Sequence, residues 1–235
     1  MLLYIIRHGD PVYPTDSLTE KGAKQADALA QRLAVNGLDE VYSSPMGRAR
    51  LTAQPACDLL GLECKTENWM SESLAYRDFS IINEDGKKNW AFHGSKTKFK
   101  TDPAMSSGKE WHESEHLSTT NAKEGYKRIQ EHSDEFLERL GYRREGGVYK
   151  IIRNNEDRVG AFCHNGFGVI WMSYLLAMPP YMFWSNFEFS HSGITILEFK
   201  NYPDGYTAPL CLCFSDLSHI YKSGLPLQHN NSTDI

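Results

Sequence analysis

The residue order predicts an α/β fold: a three-layer α/β/α sandwich on a mostly parallel central sheet, with an irregular and partly helical lid insertion. Three observations carry that expectation. Residues 2–6, Leu-Leu-Tyr-Ile-Ile, form a short and wholly apolar run, the pattern of a strand buried on both faces. Short apolar runs then alternate with stretches of helical spacing, which is how α/β proteins are wound. A chain of 235 residues also buries a sizeable core as one domain with an insertion, and does not require two.

The elements follow in order. After the first strand, a turn-rich stretch at 9–17 with Pro11 and Pro14 leads to a helix starting near Thr19. Its stripe is Ala23, Ala26, Leu29, Ala30 and Leu33, and Gly37 marks its end. Residues 40–43 read as a strand, Ser44-Pro45 as the entry to a second helix running to Leu60, and 62–65 as another strand. Periodicity is lost over 76–120, a length typical of a functional lid. Helical spacing returns over 122–140. Residues 148–152 and 159–163 read as strands joined by the polar turn Asn154-Asn155-Glu156-Asp157. A helix at 167–177 is stopped by Met178-Pro179-Pro180, and 194–199 and 210–214 are closing strands. The expected organisation is one domain over 1–222, with its insertion at about 76–120 and a disordered tail at 223–235.

Charge excludes some partners. Lys+Arg 25 against Asp+Glu 30 gives −5, so no whole-protein field exists to hold nucleic acid or an anionic membrane. A small molecule is the expected partner. No stretch approaches the roughly 18 to 20 apolar residues of a transmembrane helix, and residues 1–6 run straight into Arg7, His8 and Asp10 without the marks of a signal peptide. The expected location is the cytosol. Cys57, Cys64, Cys163, Cys211 and Cys213 are odd in number and scattered, which argues against a disulfide framework. Cys211 and Cys213 alternate with leucines as in a strand rather than as half of a metal site.

Three strand exits carry the chemistry. Arg7-His8-Gly9 follows the first strand, Arg48 follows the next in Ser43-Ser44-Pro45-Met46-Gly47-Arg48, and His164-Asn165-Gly166 follows the strand ending at Cys163. Open α/β sheets bind ligands at such carboxyl ends. Helix N-termini beside two of them add backbone N–H groups, including those of Asn165 and Gly166, and the set suits an anion. A phosphate monoester dianion matches it, because guanidiniums bind its oxygens bidentately and an imidazole can attack phosphorus. Glu72, just past the 62–65 strand, is placed to protonate a departing alkoxide and then to deprotonate water.

Together these residues resemble the histidine phosphatase superfamily and its phosphoglycerate mutase-like branch (branch 1). The matching segments are Arg7-His8-Gly9, Leu18-Thr19-Glu20-Lys21-Gly22, Ser43-Ser44-Pro45 with Arg48-Ala49 and Thr52-Ala53, Glu72, and His164-Asn165-Gly166. They span residue 4 to about 170, and 215–220, with Asp216 and His219, resembles the family's closing segment. The resemblance implies a phosphatase in which His8 is the nucleophile and forms a phosphohistidine. It further implies that Arg7, Arg48 and a protonated His164 bind the transferring phosphoryl group, that Glu72 is the proton donor, and that neither metal nor cofactor is needed.

Competing readings remain open at this level. His112-Glu113-Ser114-Glu115-His116 fits H-E-x-x-H, with Glu135 as a third ligand, but its polar surroundings mark a chance match. Trp90, Phe92, His93 and Trp111 of the insertion are candidates to touch the leaving group, as are Asp10 and Tyr13 beside His8. A mutase uses the same core, and in the family carries an Arg-His-Tyr-Gly stretch after the proton donor. Here Ser73-Leu74-Ala75-Tyr76-Arg77-Asp78 stands in that place. Hydrolysis of a small phosphorylated metabolite is therefore the leading expectation, ahead of a mutase-type phosphotransferase and of a non-catalytic phospholigand-binding module.

Overall fold

Strand β1 (Leu2–Arg7) is followed by a two-strand ribbon, β2 (Pro11–Val12) and β3 (Ser17–Leu18), and by helix α1 (Glu20–Ala34). Then come β4 (Glu40–Ser43), α2 (Gly47–Leu60), β5 (Cys64–Thr66) and α3 (Glu72–Asp78). A hairpin of β6 (Ser80–Ile82) and β7 (Lys88–Trp90) precedes short α4 (Lys96–Thr101) and α5 (Pro103–Ser106), and the long α6 (Ala122–Arg139). Strands β8 (Tyr142–Glu145), β9 (Val148–Ile151) and β10 (Arg158–Cys163) lead to α7 (Asn165–Leu175) and α8 (Pro180–Trp184). The chain closes with β11 (Ile194–Glu198), β12 (Tyr206–Thr207), β13 (Leu210–Asp216), α9 (Ser218–Lys222), β14 (Gln228–His229) and β15 (Thr233–Asp234). This computed structural model describes residues 1–83, 85–93, 96–106, 111–229 and 233–234.

Among the described residues the central sheet has the order β13-β11-β1-β10-β4-β5. Its β1-β10, β10-β4 and β4-β5 pairs are parallel, while β11 and β13 add an antiparallel edge. Side chains alternate across β1. Tyr4 and Ile6 join Leu29, Leu33, Val41 and Ala53 under α1 and α2. Leu3 and Ile5 join Ile129, Phe136, Phe167 and Ile170 under α6 and α7. Helices thus cover both faces, and burying each such Leu, Ile or Phe contributes about 1.5–3 kcal/mol.

Local chemistry sets the helix start that matters most. Thr19 is extended and its hydroxyl accepts from Gly22 N at 3.0 Å, an N-cap that opens α1 next to the loop following β1. Gly22 is required there: a Cβ on it would lie 2.2 Å from the Asp10 carbonyl oxygen. The buried stripe runs through Gly22, Gln25, Ala26, Leu29, Ala30 and Leu33, whereas Ala23 is exposed.

Elsewhere the structure differs from the expectation in instructive ways. The 76–120 segment begins as helix and hairpin, and Phe92, Phe99, Met105, Trp111 and Leu117 are buried in the main core. Its aromatic residues have no simple period because they pack from short turns rather than from one long element. Positions 84, 94, 95 and 107–110 lie outside the described residues. Strand β9 does not stay with β10: it pairs with β8 and β12 in a separate sheet, where Tyr142 and Tyr149 pack on Phe199. After α7 the double proline starts α8, because Pro180 at a first helical position loses no hydrogen bond.

The sequence marks 223–235 as a disordered tail. Instead Leu225 N donates to Ile220 O at 3.2 Å and Lys21 Nζ reaches Gln228 Oε1 at 3.1 Å, so 225–228 lie back on the body. Residues 230–232 and 235 lie outside the described residues. Cys211 and Cys213 sit on β13, on its half-buried side, with Leu210 and Leu212 exposed. His112 and His116 fall on separate 3-10 turns with Ser114 between them, so the continuous helical face of a zinc motif is not formed. No helix among the described residues is long and apolar enough to cross a membrane.

Candidate active site

The carboxyl ends of β1, β4 and β10 meet at one edge of the sheet, and their loops line a cavity of about 600 Å³. Arg7, His8, Arg48 and Glu72 all face it. The loop after β1 is tied down from several sides. His8 N donates to Cys163 O (3.0 Å), Gly9 N to Thr52 Oγ1 (2.9 Å) and Asp10 N to Gln25 Oε1 (2.8 Å).

The His8 ring is fixed in one tautomer. Its Nδ1 lies 2.7 Å from Gly9 O, and since a carbonyl only accepts, the proton belongs on Nδ1. Nε2 therefore carries the lone pair, and Arg48 Nε donates to it at 3.1 Å. Burial, followed by the neighbouring His164, Arg7 and Arg48, pushes the His8 pKa well below the ordinary histidine value. A neutral, oriented imidazole results, which is the form a nucleophile needs.

Two guanidiniums converge beside it. Arg7 donates to the Phe189 carbonyl and, at 2.8 Å, to His191 Nε2. Arg48, in the first turn of α2, is held by Asp16, whose Oδ1 accepts from its NH1 at 2.5 Å while Oδ2 accepts from Gly47 N at 2.6 Å. Asp16 is thus a cap for α2 and an orienting partner for Arg48, and it adopts a left-handed φ of 48° to reach both. Replacing Asp16 with alanine is expected to lower kcat/KM about tenfold, the scale of one charge-assisted hydrogen bond. Steady-state kinetics beside a thermal melt checks this, since a fall in activity should not track a loss of fold.

His164 lies 5.1 Å from His8, centroid to centroid, and its Nε2 is 2.7 Å from Ser44 Oγ. Its buried Nδ1 has no hydrogen-bond partner among the described residues. Burial, then Arg48 and Arg7, push the His164 pKa well below the ordinary value, so the protonated form that the resemblance implies calls for a counter-charge. A phosphate dianion would oppose that shift by supplying the counter-charge.

Glu72 opens α3 and reaches across to the start of α7. Oε1 accepts from Gly166 N at 3.0 Å and Oε2 from Phe167 N at 2.8 Å. Burial raises its pKa against the opposing pull of those N–H groups and of Arg48 and Arg7, so a proton is retained to higher pH than on an ordinary carboxyl. That suits a general acid.

The remaining candidates divide. Tyr13 and Trp90 line the cavity, Tyr13 with the Arg48 guanidinium 5.5 Å from its ring centroid. Trp90 packs so closely on Gly166 that a Cβ there would lie 2.4 Å from its ring, and His93 of the same segment also lines the cavity. Asn165 lines it too, but its Oδ1 accepts from Phe189 N at 2.9 Å and its Nδ2 donates to Glu188 Oε1 at 3.4 Å. The Gly166 N–H goes to Glu72, so it is not presented to a phosphate. Asp10 does not line the cavity: it accepts from Thr19 Oγ1 at 2.7 Å and lies 3.7 Å from His191 Nδ1. Trp111 is buried elsewhere, against Trp184 and Tyr126 with ring centroids 5.3 Å away, because its large apolar ring fills the core beneath the insertion.

Sequence reasoning missed Asp16, Glu188 and His191. The run Ser190-His191-Ser192-Gly193 stands directly before β11, and because β11 runs antiparallel to β1 it arrives at the carboxyl end of β1. A polar run before a strand is the available signal, but it points to the site only once that strand's direction is known.

The N-terminal segment matches a known family: residues 3–90 fit the profile of the Histidine phosphatase superfamily (branch 1). That match covers less than half of the chain. The chain is 34% identical over 79 residues to the protein named "Probable phosphoglycerate mutase GpmB" of Yersinia pestis (strain Pestoides F), covering 30% of this chain and 37% of that protein. It therefore spans little more than a third of the curated relatives it matches. Among solved structures, phosphoserine phosphatase from Entamoeba histolytica superposes with a TM-score of 0.62 at 22% identity, covering 93% of this chain and 98% of that one. The mycobacterial glucosyl-3-phosphoglycerate phosphatase gives 0.60 at 17%, covering 91% and 98%. At such identities these two similarities establish the fold alone.

Proposed function

We propose that the chain is a metal-independent phosphatase that hydrolyses small phosphate monoesters through a phosphohistidine on His8. The observation that carries this reading is the His8 ring: neutral, with Nδ1–H held by Gly9 O and Nε2 turned to Arg48 in a cavity that Arg7 and Glu72 share. Nε2 attacks phosphorus in line with the ester oxygen. As the P–O bond breaks, Arg7 and Arg48 take the charge that spreads over the equatorial oxygens, and His164 Nδ1 adds a donor once the dianion has favoured its protonation. Glu72 gives its proton to the departing alkoxide. The resulting carboxylate then takes a proton from water, whose oxygen attacks the phosphohistidine, releasing phosphate and restoring both groups. The two guanidiniums supply the positive charge, and no step calls for a metal.

Support for a phosphorylated small molecule comes from the relatives of this fold. The Entamoeba enzyme has been crystallised with phosphoserine and with 3-phosphoglyceric acid, and the mycobacterial enzyme with inorganic phosphate. Residues 1–222 act as one catalytic unit in this reading, with the insertion providing the wall that Trp90 and His93 form.

The partial match to a phosphoglycerate mutase favours a second reading, phosphoryl transfer between hydroxyls of one substrate. Against it, Arg7 and Arg48 are the arginines or lysines lining the cavity among the described residues, and both flank His8. Arg77, in the stretch that replaces the mutase motif, is paired with Asp78 at 2.8 Å. Incubation with 3-phosphoglycerate and p-nitrophenyl phosphate in EDTA separates the readings. Net release of phosphate that survives EDTA is expected. Movement of phosphate between glycerate hydroxyls without release marks the mutase, binding without turnover marks a ligand-binding module, and EDTA-sensitive release overturns the metal-free mechanism.

A further inference from the structure

We propose that the preferred substrate is the phosphomonoester of an apolar primary alcohol, whose hydrocarbon body runs from the catalytic cavity into a second cavity beside it. This rests on the phosphatase reading and deepens it by naming the leaving group. The second cavity measures about 260 Å³ and lies between Phe92 and His93 of the insertion, α7, and the end of α8 with the 185–193 loop. His93, Asn165 and Glu188 line both cavities, so the two meet at those side chains.

An aromatic wall runs from one cavity to the other. Trp90 lines the catalytic cavity and stacks on Phe92 with ring centroids 5.0 Å apart, and Phe92 lines the second cavity with Trp184, whose ring follows at 5.4 Å. The facing wall is α7. Asn165 stands at the junction, and Val169, one turn on and on the same helix face, lines the second cavity but not the catalytic one. Phe187 completes the annex from the loop. The Asn165 amide accepts from Phe189 N and donates to Glu188, so it asks no hydrogen bond of a ligand. Lys96 is exposed, which lets its ammonium stay in water while its stem borders the apolar wall. At the phosphate end Arg7 and Arg48 flank His8, and the lining beyond them includes the rings of Tyr13, Tyr76 and Trp90. A short polar alcohol leaves such walls without a partner, whereas hydrocarbon gains affinity with each methylene it buries against them.

The test is a chain-length series, n-propyl to n-hexyl phosphate, in the wild type and in Phe187→Ser. These alcohols are nearly equal in acidity, so differences in kcat/KM report contacts rather than leaving-group reactivity. In the wild type kcat/KM is expected to rise by up to about fourfold for each added methylene, the scale of burying one such group. Phe187 lines the annex alone and is 39% exposed, so its replacement spares both the catalytic groups and the core. In the variant the hexyl-to-propyl ratio is expected to fall about fivefold while propyl phosphate is turned over as before. A wild-type series that stays flat overturns the inference, as does a wild type that prefers 3-phosphoglycerate to hexyl phosphate. A ratio that Phe187→Ser leaves within about twofold also overturns it, because the catalytic cavity alone then holds the chain. Calorimetry on the His8→Ala protein leaves the annex intact and gives an independent reading: hexyl phosphate is expected to bind more tightly than propyl phosphate. If that preference is present while the wild type turns over neither ester, the phosphatase reading fails and the annex stands. Equal binding of the two esters overturns the annex even where hydrolysis proceeds.

Discussion

Substitution of His8 by alanine is expected to lower kcat by at least ~10⁴-fold on every phosphomonoester, the scale on which covalent nucleophiles are lost elsewhere. The fold should survive. The ring makes its uncharged hydrogen bond to Gly9 O alone, while the backbone at that position stays tied through His8 N to Cys163 O. The neutral ring also accepts from Arg48 Nε, so its removal costs Arg48 one hydrogen bond, while Asp16 still holds that guanidinium. A thermal melt within a few degrees of the wild type is the accompanying measurement. The acid side of the pH profile belongs to the same residue. With its pKa depressed, His8 stays neutral until the pH falls well below the ordinary histidine value, so activity is held into mildly acidic solution and lost only when the ring takes a proton.

Glu72→Gln tests the other end of the reaction. Glutamine keeps the size but cannot release a proton to the alkoxide, and activity on alkyl phosphates is expected to fall by about 10²–10⁴. With p-nitrophenyl phosphate, whose leaving group departs without a proton, the loss should be much smaller. That contrast distinguishes a proton donor from a residue that merely supports α7. Support is nevertheless part of its role, because both carboxylate oxygens accept from the N-terminus of α7. The amide nitrogen of glutamine cannot accept, so one buried N–H loses its partner at a cost of about 1–3 kcal/mol. In the wild type the raised Glu72 pKa sets the alkaline limb: the acid form is present below it and is lost as pH rises through it. The limb should disappear in the variant.

Much of this was legible in the residues. Arg7, His8 and His164 leave apolar strands at their carboxyl ends, a relation set by strand direction and by the winding of a parallel sheet, both of which local sequence reports. Thr19 and Gly22 were visible as a helix start. Their deeper purpose, the close seating of Gly22 on the Asp10 carbonyl, needs coordinates. Less legible were groups delivered by long-range register. His191 and Glu188 depend on the antiparallel placement of β11 beside β1, and Asp16 on a two-residue ribbon that folds back onto α2. The aromatic insertion misled in part, because Trp90 and Trp111 look equivalent in sequence while one walls the cavity and the other fills the core. Protonation was the remaining difference. Burial among cations lowers the His164 pKa, and no pattern of letters encodes that balance.

The central claim is a covalent bond between His8 and the phosphoryl group. Mixing the protein with a labelled phosphomonoester in EDTA, quenching within one turnover and separating the protein at alkaline pH measures it most directly. Protein-bound phosphate that is stable to alkali and labile to acid, located on His8 and absent from the His8→Ala protein, is the result expected. Hydrolysis that proceeds with no bound phosphate, or label that persists after the His8 substitution, would contradict it.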